Sequence, residues 1–290
     1  MGMDEQIRSS DGTTIAFDRS GDGPPVILVG GALQHRLIDE STAQLQARLA
    51  WDFTVFHYDR RGRGDSGDTP PYAVEREVED LAAVIDEAGG SAAVYGMSSG
   101  AALALEAAGR GLAISRLALY EPPFVVGGSR PPGAPGVATR IAELTSSGRR
   151  GAAVEYFLTH GRGLPPDVVA EMKSTLVWPA LERVAHTLAY DIAIMAGQDR
   201  LLSEVAPSVT VPALVMDGGE SPAWARGAVQ ALVGRLPNGM RLTLEGQTHA
   251  VAPGVLSPVL EEFFGAGSNG SGQAGLWQTA STLLPSGSRT

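Results

Sequence analysis

Short, wholly apolar runs alternate along this chain with longer stretches whose apolar residues recur at helical spacing. That alternation predicts a mostly parallel sheet covered by helices on both faces. Residues 7–9 and 13–17 flank Asp11-Gly12, a strong hairpin turn signal. After the Gly21-Asp22-Gly23-Pro24-Pro25 loop, residues 26–29 form an apolar run of buried-strand type. Further strands are expected over 53–58, 92–95, 117–120, 213–216 and 240–244, with helices over 41–50, 72–88, 100–108, 223–236 and 258–264. In the 72–88 stretch, Val74, Val78, Leu81, Ile85 and Ala88 share one face.

The rhythm breaks between Phe124 and about Ala206. A Gly/Pro-rich stretch over 127–136 precedes helical pieces at 138–145, 152–160, 166–176 and 181–195, with no convincing buried strand. An all-helical insertion between two strands is a candidate lid over a pocket. Beyond it, the tail is rich in Gly, Ser, Asn and Gln, a composition expected to be flexible. The reading is an α/β fold, a mostly parallel doubly wound sheet, with a helical cap inserted after the sixth strand. It divides the chain into a core of residues 1–123 and 207–265, a cap of 124–206 and a tail of 266–290.

Composition narrows the function. The 290 residues are 43% hydrophobic and 19% charged, enough to bury a sizeable core. A net charge of −10 argues against a nucleic-acid-binding surface, which needs clustered cations. With no cysteine, disulfides, thiolate metal sites and thiol catalysis are all excluded. No cofactor or metal is expected. Neither a signal-like start nor a run of about 18 apolar residues is present, so a cytoplasmic enzyme acting on a small molecule, without membrane or nucleic acid, is the expectation.

Gly96-Met97-Ser98-Ser99-Gly100 fits Gly-x-Ser-x-Gly. In a glycine-rich chain the pattern alone is weak, but here an apolar strand ends at Tyr95 and a small-residue helix begins at Gly100. A turn that tight forces Ser98 into a strained conformation with its hydroxyl exposed, and the flanking glycines avoid collisions with neighbouring backbone. Serine needs a base to take its proton. Among the five histidines, His249 follows a strand end in a polar loop, whereas His57 sits inside a strand pattern and His160 and His186 lie on insertion helices. His35 follows a glycine loop near the expected pocket mouth.

From about Ile7 to Phe264 the chain resembles the α/β-hydrolase fold family, its serine-dependent, capped, esterase or peroxidase-like branch. The residues carrying this are the Ser98 pentapeptide, Asp59-Arg60-Arg61-Gly62-Arg63-Gly64-Asp65-Ser66, the strand Val211-Pro212-Ala213-Leu214-Val215 and Gly246-Gln247-Thr248-His249. The resemblance implies Ser98 as nucleophile, His249 as base, and backbone N–H groups of Ser99 and Ala32 as the oxyanion hole. Where relatives often carry His-Gly-x, this chain has Gly30-Gly31-Ala32.

The acid departs from the common pattern. Ser221 occupies the usual late position, with Asp217 and Glu220 nearby. Glu121, directly after the 117–120 strand, is the favoured acid because some family members carry theirs there; Asp217 and Glu220 remain alternatives.

The expected activity is hydrolysis of a small, hydrophobic carboxylic ester or related acyl bond through an acyl-enzyme. Carbon–carbon bond hydrolysis, lyase or cofactor-free peroxidase-like chemistry on the same Ser-His pair is the alternative, and a non-catalytic binder a more distant one. Serine rather than aspartate at the elbow argues against dehalogenase or epoxide-hydrolase chemistry. Phe124, Phe157, Met172, Trp178 and Met195 are candidate pocket walls, although helical spacing equally suits core packing. Arg60 and Arg61 would suit either an acidic substrate or structural pairing.

Overall fold

The computed structural model describes residues 5–127 and 136–266. The expected flexible tail therefore lies outside the described residues from 267 onward, as does most of the Gly/Pro-rich stretch. Among the described residues the strands are β1 (Glu5–Arg8), β2 (Thr14–Ser20), β3 (Pro25–Val29), β4 (Thr54–Tyr58), β5 (Ala92–Met97), β6 (Ile114–Tyr120), β7 (Ala213–Gly218) and β8 (Gly239–Leu244). They form one sheet in the order β1-β2-β4-β3-β5-β6-β7-β8. β2 is antiparallel to both neighbours, and every later pair is parallel.

The core helices are α1 (Glu40–Leu49), α2 (Val74–Glu87), α3 (Ser99–Gly109), α11 (Ala223–Val233) and α12 (Pro253–Gly265). One face of the sheet buries Ile27, Val94 and Leu119 with Leu81, Leu103 and Val229 of α2, α3 and α11. The other buries Val26, Leu28 and Tyr95 with Leu45 and Leu49 of α1 and Leu260 and Phe263 of α12. Successive strand residues face opposite sides, so a strand covered on both faces is apolar throughout. β7 has all six residues buried and is apolar up to Asp217.

Between β6 and β7 the described chain is helical: α4 (Val137–Ser146), α5 (Arg150–Tyr156), α6 (Pro166–Met172), α7 (Trp178–Arg183), α8 (Leu188–Ala196), α9 (Gln198–Arg200) and α10 (Ala206–Ser208). Two expected helices are interrupted. The 152–160 helix becomes a π-turn over Phe157–Gly161, and the 181–195 helix breaks at Val184 into α7, a 3-10 turn (Ala185–Thr187) and α8. At the other end, α12 begins at Pro253 rather than Pro258. Pro253 supplies the first-turn proline that a helix tolerates best. The insertion has its own apolar cluster, including Ile141, Val154, Leu158, Trp178 and Leu181, joined by Leu33 from the loop after β3.

The sheet order sets the position of the site. From β3 the chain adds β4 on one side, then crosses to add β5 on the other. The carboxyl ends of β3 and β5 thus flank the switch point, where an open α/β sheet leaves a crevice.

Candidate active site

Ser98 stands between β5 and α3 with φ 56° and ψ −123°, a left-handed backbone that a non-glycine residue adopts only under strain. Its N–H donates to the Tyr120 carbonyl at 2.9 Å and its own carbonyl accepts from Ala101 at 3.0 Å, so strand and helix both hold the turn. The flanking glycines are required by contact. A Cβ on Gly96 would lie 2.6 Å from the Gly100 carbonyl oxygen, and one on Gly100 would lie 2.4 Å from that of Val29.

The loop after β3 closes against this turn, with a Cβ on Gly31 falling 3.1 Å from the Ser98 Cβ. Its amides are partly committed. The Gly31 N–H donates to Gln34 Oε1, while Gln34 Nε2 donates to Asp39 at 2.7 Å. Arg63 donates to the Gly31 carbonyl and Arg60 to that of Gly30 at 3.2 Å. In a trans peptide the oxygen and the next N–H point to opposite sides. Arg63 therefore fixes which way the Ala32 N–H faces and polarises it as a donor. Ser99 opens α3, where an amide has no intrahelical acceptor.

Both arginines are themselves held from the insertion. Asp191 of α8 accepts from Arg60 Nη1 at 2.9 Å, from Arg63 Nη2 at 2.9 Å and from the Ser99 hydroxyl at 2.8 Å. Glu77 of α2 takes the other edge of Arg60 at 2.6 and 2.7 Å. Burial pushes Asp191 up, yet Arg63, Arg60 and the Ser99 hydroxyl outweigh it and hold its carboxyl below the usual value. Arg61 pairs with Asp80 at 2.7 Å and with Asp11 at 2.9 Å, so Arg60 and Arg61 are occupied structurally.

Glu121 is the carboxylate brought to His249. It follows β6 at φ 44°, its Oε2 lies 2.8 Å from His249 Nδ1, and its Oε1 accepts from the Gly218 amide at 2.9 Å. Burial pushes this carboxyl up, but His249 and the Gly218 amide together keep it below its ordinary value. Nδ1 being committed, Nε2 is the nitrogen His249 offers to the site. Tyr120 ties the histidine loop down through its phenol, which donates to the Thr248 carbonyl at 2.6 Å.

The two alternative acids lie elsewhere. Asp217 is buried against Arg241 at 2.6 Å and the Thr243 hydroxyl at 2.6 Å, and Glu220 is exposed. His35 is buried, with neither ring nitrogen hydrogen-bonded among the described residues. Phe124 packs in the sheet core, and Phe157, Met172 and Trp178 pack in the insertion's own cluster. Asp191, Arg63 and Gln34 did not emerge as site residues from the sequence. A lone carboxylate within the apolar stretch Leu188–Ala196 was the available signal, because a buried charge needs a partner.

Comparison with known families gives a match over residues 26–258 to the model described as the alpha/beta hydrolase family. The chain belongs to the alpha/beta hydrolase family. It is 58% identical to an alpha/beta hydrolase from Sphaerobacter thermophilus, over 90% of this chain and 100% of that one, with a TM-score of 0.84. More distant hydrolase structures share the fold. An enol-lactonase from Burkholderia xenovorans is 23% identical over 85% of this chain and 93% of its own, with a TM-score of 0.65. A thermophilic esterase from Thermogutta terrifontis is 23% identical over 89% and 94%, also at 0.65. Comparison with curated protein sequences gives no match. This hydrolase is thus an enzyme, and none of its described helices is long and apolar enough to cross a membrane.

Proposed function

We propose that this hydrolase cleaves a small carboxylic ester or related acyl bond through an acyl-enzyme on Ser98, with His249 as base and Glu121 as orienting acid. The observation that carries the reading is the 2.8 Å bond between Glu121 and His249 Nδ1, which sets one tautomer of the imidazole and aims its Nε2 away from the carboxylate. The Ser98 Oγ attacks the carbonyl carbon as Nε2 takes its proton. The resulting oxyanion is held by the Ala32 and Ser99 N–H groups, a role consistent with Gly31 being occupied by Gln34. Collapse breaks the bond to the leaving alcohol, which receives the proton from His249; water then repeats the cycle and releases the acid. The helical insertion acts as a cap.

A fluorophosphonate probe tests this. It is expected to label the wild-type protein at Ser98 and to leave Ser98→Ala unlabelled, with ester turnover lost in that variant. Labelling elsewhere, or turnover that survives the substitution, would remove the serine mechanism and leave the fold assignment standing.

A further inference from the structure

A cavity of about 150 Å³ lies on the α1/α12 face of the sheet, and sequence neighbours of the proposed nucleophile and base line it. It opens between Met97, which precedes Ser98, and Ala250 and Val251, which follow His249. Its walls are mostly apolar, with Leu45, Met97, Val251 and Leu256 among them, but two polar side chains there have no side-chain partner among the described residues.

The first is Tyr95. Its phenol is buried and its hydroxyl has no hydrogen-bond partner, although an orphaned buried donor costs about 1–3 kcal/mol. The second is Arg162, which the insertion delivers to the same cavity immediately after the π-turn Phe157–Gly161. Its N–H closes that turn on the Phe157 carbonyl at 2.9 Å, and π-turns recur where a helix must re-aim a side chain for function. The Arg162 side chain, exposed at the cavity, makes no ion pair among the described residues, whereas Arg60, Arg61 and Arg63 each hold a buried carboxylate. Crowding by protein pushes its pKa down, and the field of Glu121 counters that. The guanidinium remains charged at neutral pH.

We propose that Arg162 and Tyr95 form a subsite for an anionic group, a carboxylate carried at the far end of the substrate's acyl chain. An anion would satisfy the idle phenol as hydrogen-bond donor and the unpaired guanidinium as cation, while the apolar walls take the methylenes between. Gln34, which holds the Gly31 amide, lines the same cavity and links it to the loop of the proposed oxyanion donor Ala32. The chain's net charge of −10 repels anions at long range, so a local cation has a specific task here. This inference rests on the proposed serine hydrolase reading, and it narrows the substrate from hydrophobic to apolar with an anionic end.

Two measurements test it. The first compares kcat/KM for mono-para-nitrophenyl adipate and para-nitrophenyl hexanoate, which differ only in carboxylate against methyl at the chain end. Wild type is expected to favour the adipate by about tenfold or more. Arg162→Gln should bring that ratio close to unity, Arg162→Lys should keep part of it, and Tyr95→Phe should reduce it. A ratio near unity in wild type, or one unchanged by Arg162→Gln, overturns the subsite.

The second needs no turnover. Calorimetric binding of adipate against hexanoate is measured in Ser98→Ala and in Ser98→Ala/Arg162→Gln. Adipate should bind more tightly only where Arg162 is present, and equal affinities in Ser98→Ala overturn the proposal. Failure of Ser98 labelling would instead count against the hydrolytic reading, so the two failures are separable.

Discussion

Glu121 shows how much one side chain's surroundings decide. It occupies a left-handed backbone at the end of β6, accepts from one amide and holds one half-buried imidazole, its own carboxylate out of water. Glu121→Gln keeps the shape and removes the charge that stabilises an imidazolium. The expected result is a fall in kcat of about two to four orders of magnitude with KM little changed, read from steady-state ester kinetics. The same carboxyl carries a pH signature. Its folded pKa lies below the ordinary value of 4.5, so its stabilisation is complete above that pH and is lost as pH falls through the depressed folded value. The difference in denaturation midpoint between wild type and Glu121→Gln should therefore be full at pH 7 and shrink under acid. A gap that stayed constant down to the acid limit would show that the carboxylate is not ionised in the fold. Sequence position alone pointed to Ser98, His249 and Glu121 but left Asp217 and Glu220 open as acids. Separating them required knowing that Arg241 and Thr243 already occupy Asp217, a pairing between adjacent strands that no local pattern records.

Between elements, the governing contact is that of α3 with the ends of β3 and β5. Gly100 lets the helix start lie against the Val29 and Gly30 carbonyls, where a Cβ would sit at 2.4 and 2.5 Å from their oxygens. Both obstacles are backbone, so neither can swing aside. Gly100→Ala should force α3 away from the β3 loop, costing about 1–3 kcal/mol and displacing both proposed oxyanion donors. Urea denaturation together with kcat measures this. Gly111→Ala is the control for adding a Cβ at a glycine after the same helix, where nothing lies within 4 Å; its φ of 82° adds strain but no collision. If Gly100→Ala reduces stability no more than this control and leaves kcat intact, the close approach is not what sets the turn. The strands, their order of appearance and the helix following the turn were legible from apolar periodicity. The breaks at Phe157 and Val184 were not, because a π-turn or a 3-10 turn keeps nearly the same spacing of apolar residues as the helix it interrupts.

At the scale of the molecule, a buried carboxylate of the insertion reaches the arginines that hold the loop after β3. Asp191 reaches from α8 to Arg60, Arg63 and Ser99, and the arginines reach on to the carbonyls of Gly30 and Gly31. Removing it leaves the buried Arg63 without a carboxylate and Arg60 with Glu77 alone. Asp191→Ala is expected to destabilise the protein by about 3–5 kcal/mol, measured by chemical denaturation. Hydrogen exchange should show the loss spreading into both α8 and the loop after β3, since each depends on the same carboxylate. Protection lost from α8 alone would argue that the core holds its loop without help. An insertion tied in this way holds the loop of a proposed oxyanion donor, so the proposed catalysis would depend on residues far from Ser98 in the chain.

Apolar periodicity and turn chemistry were enough to specify the α/β architecture, the tight turn at Ser98 and the residue types able to do acyl chemistry. These are properties of neighbouring residues, and the physics that produces them acts over a few positions. The choice of Glu121 over other carboxylates, the role of Asp191 and the delivery of Arg162 to the cavity beside Met97 came from the folded molecule. Glu121 and His249 are 128 residues apart, and Ser99 and Asp191 are 92 apart. A buried charge takes its partner from whatever the sheet order brings alongside, and that order is a property of the whole chain.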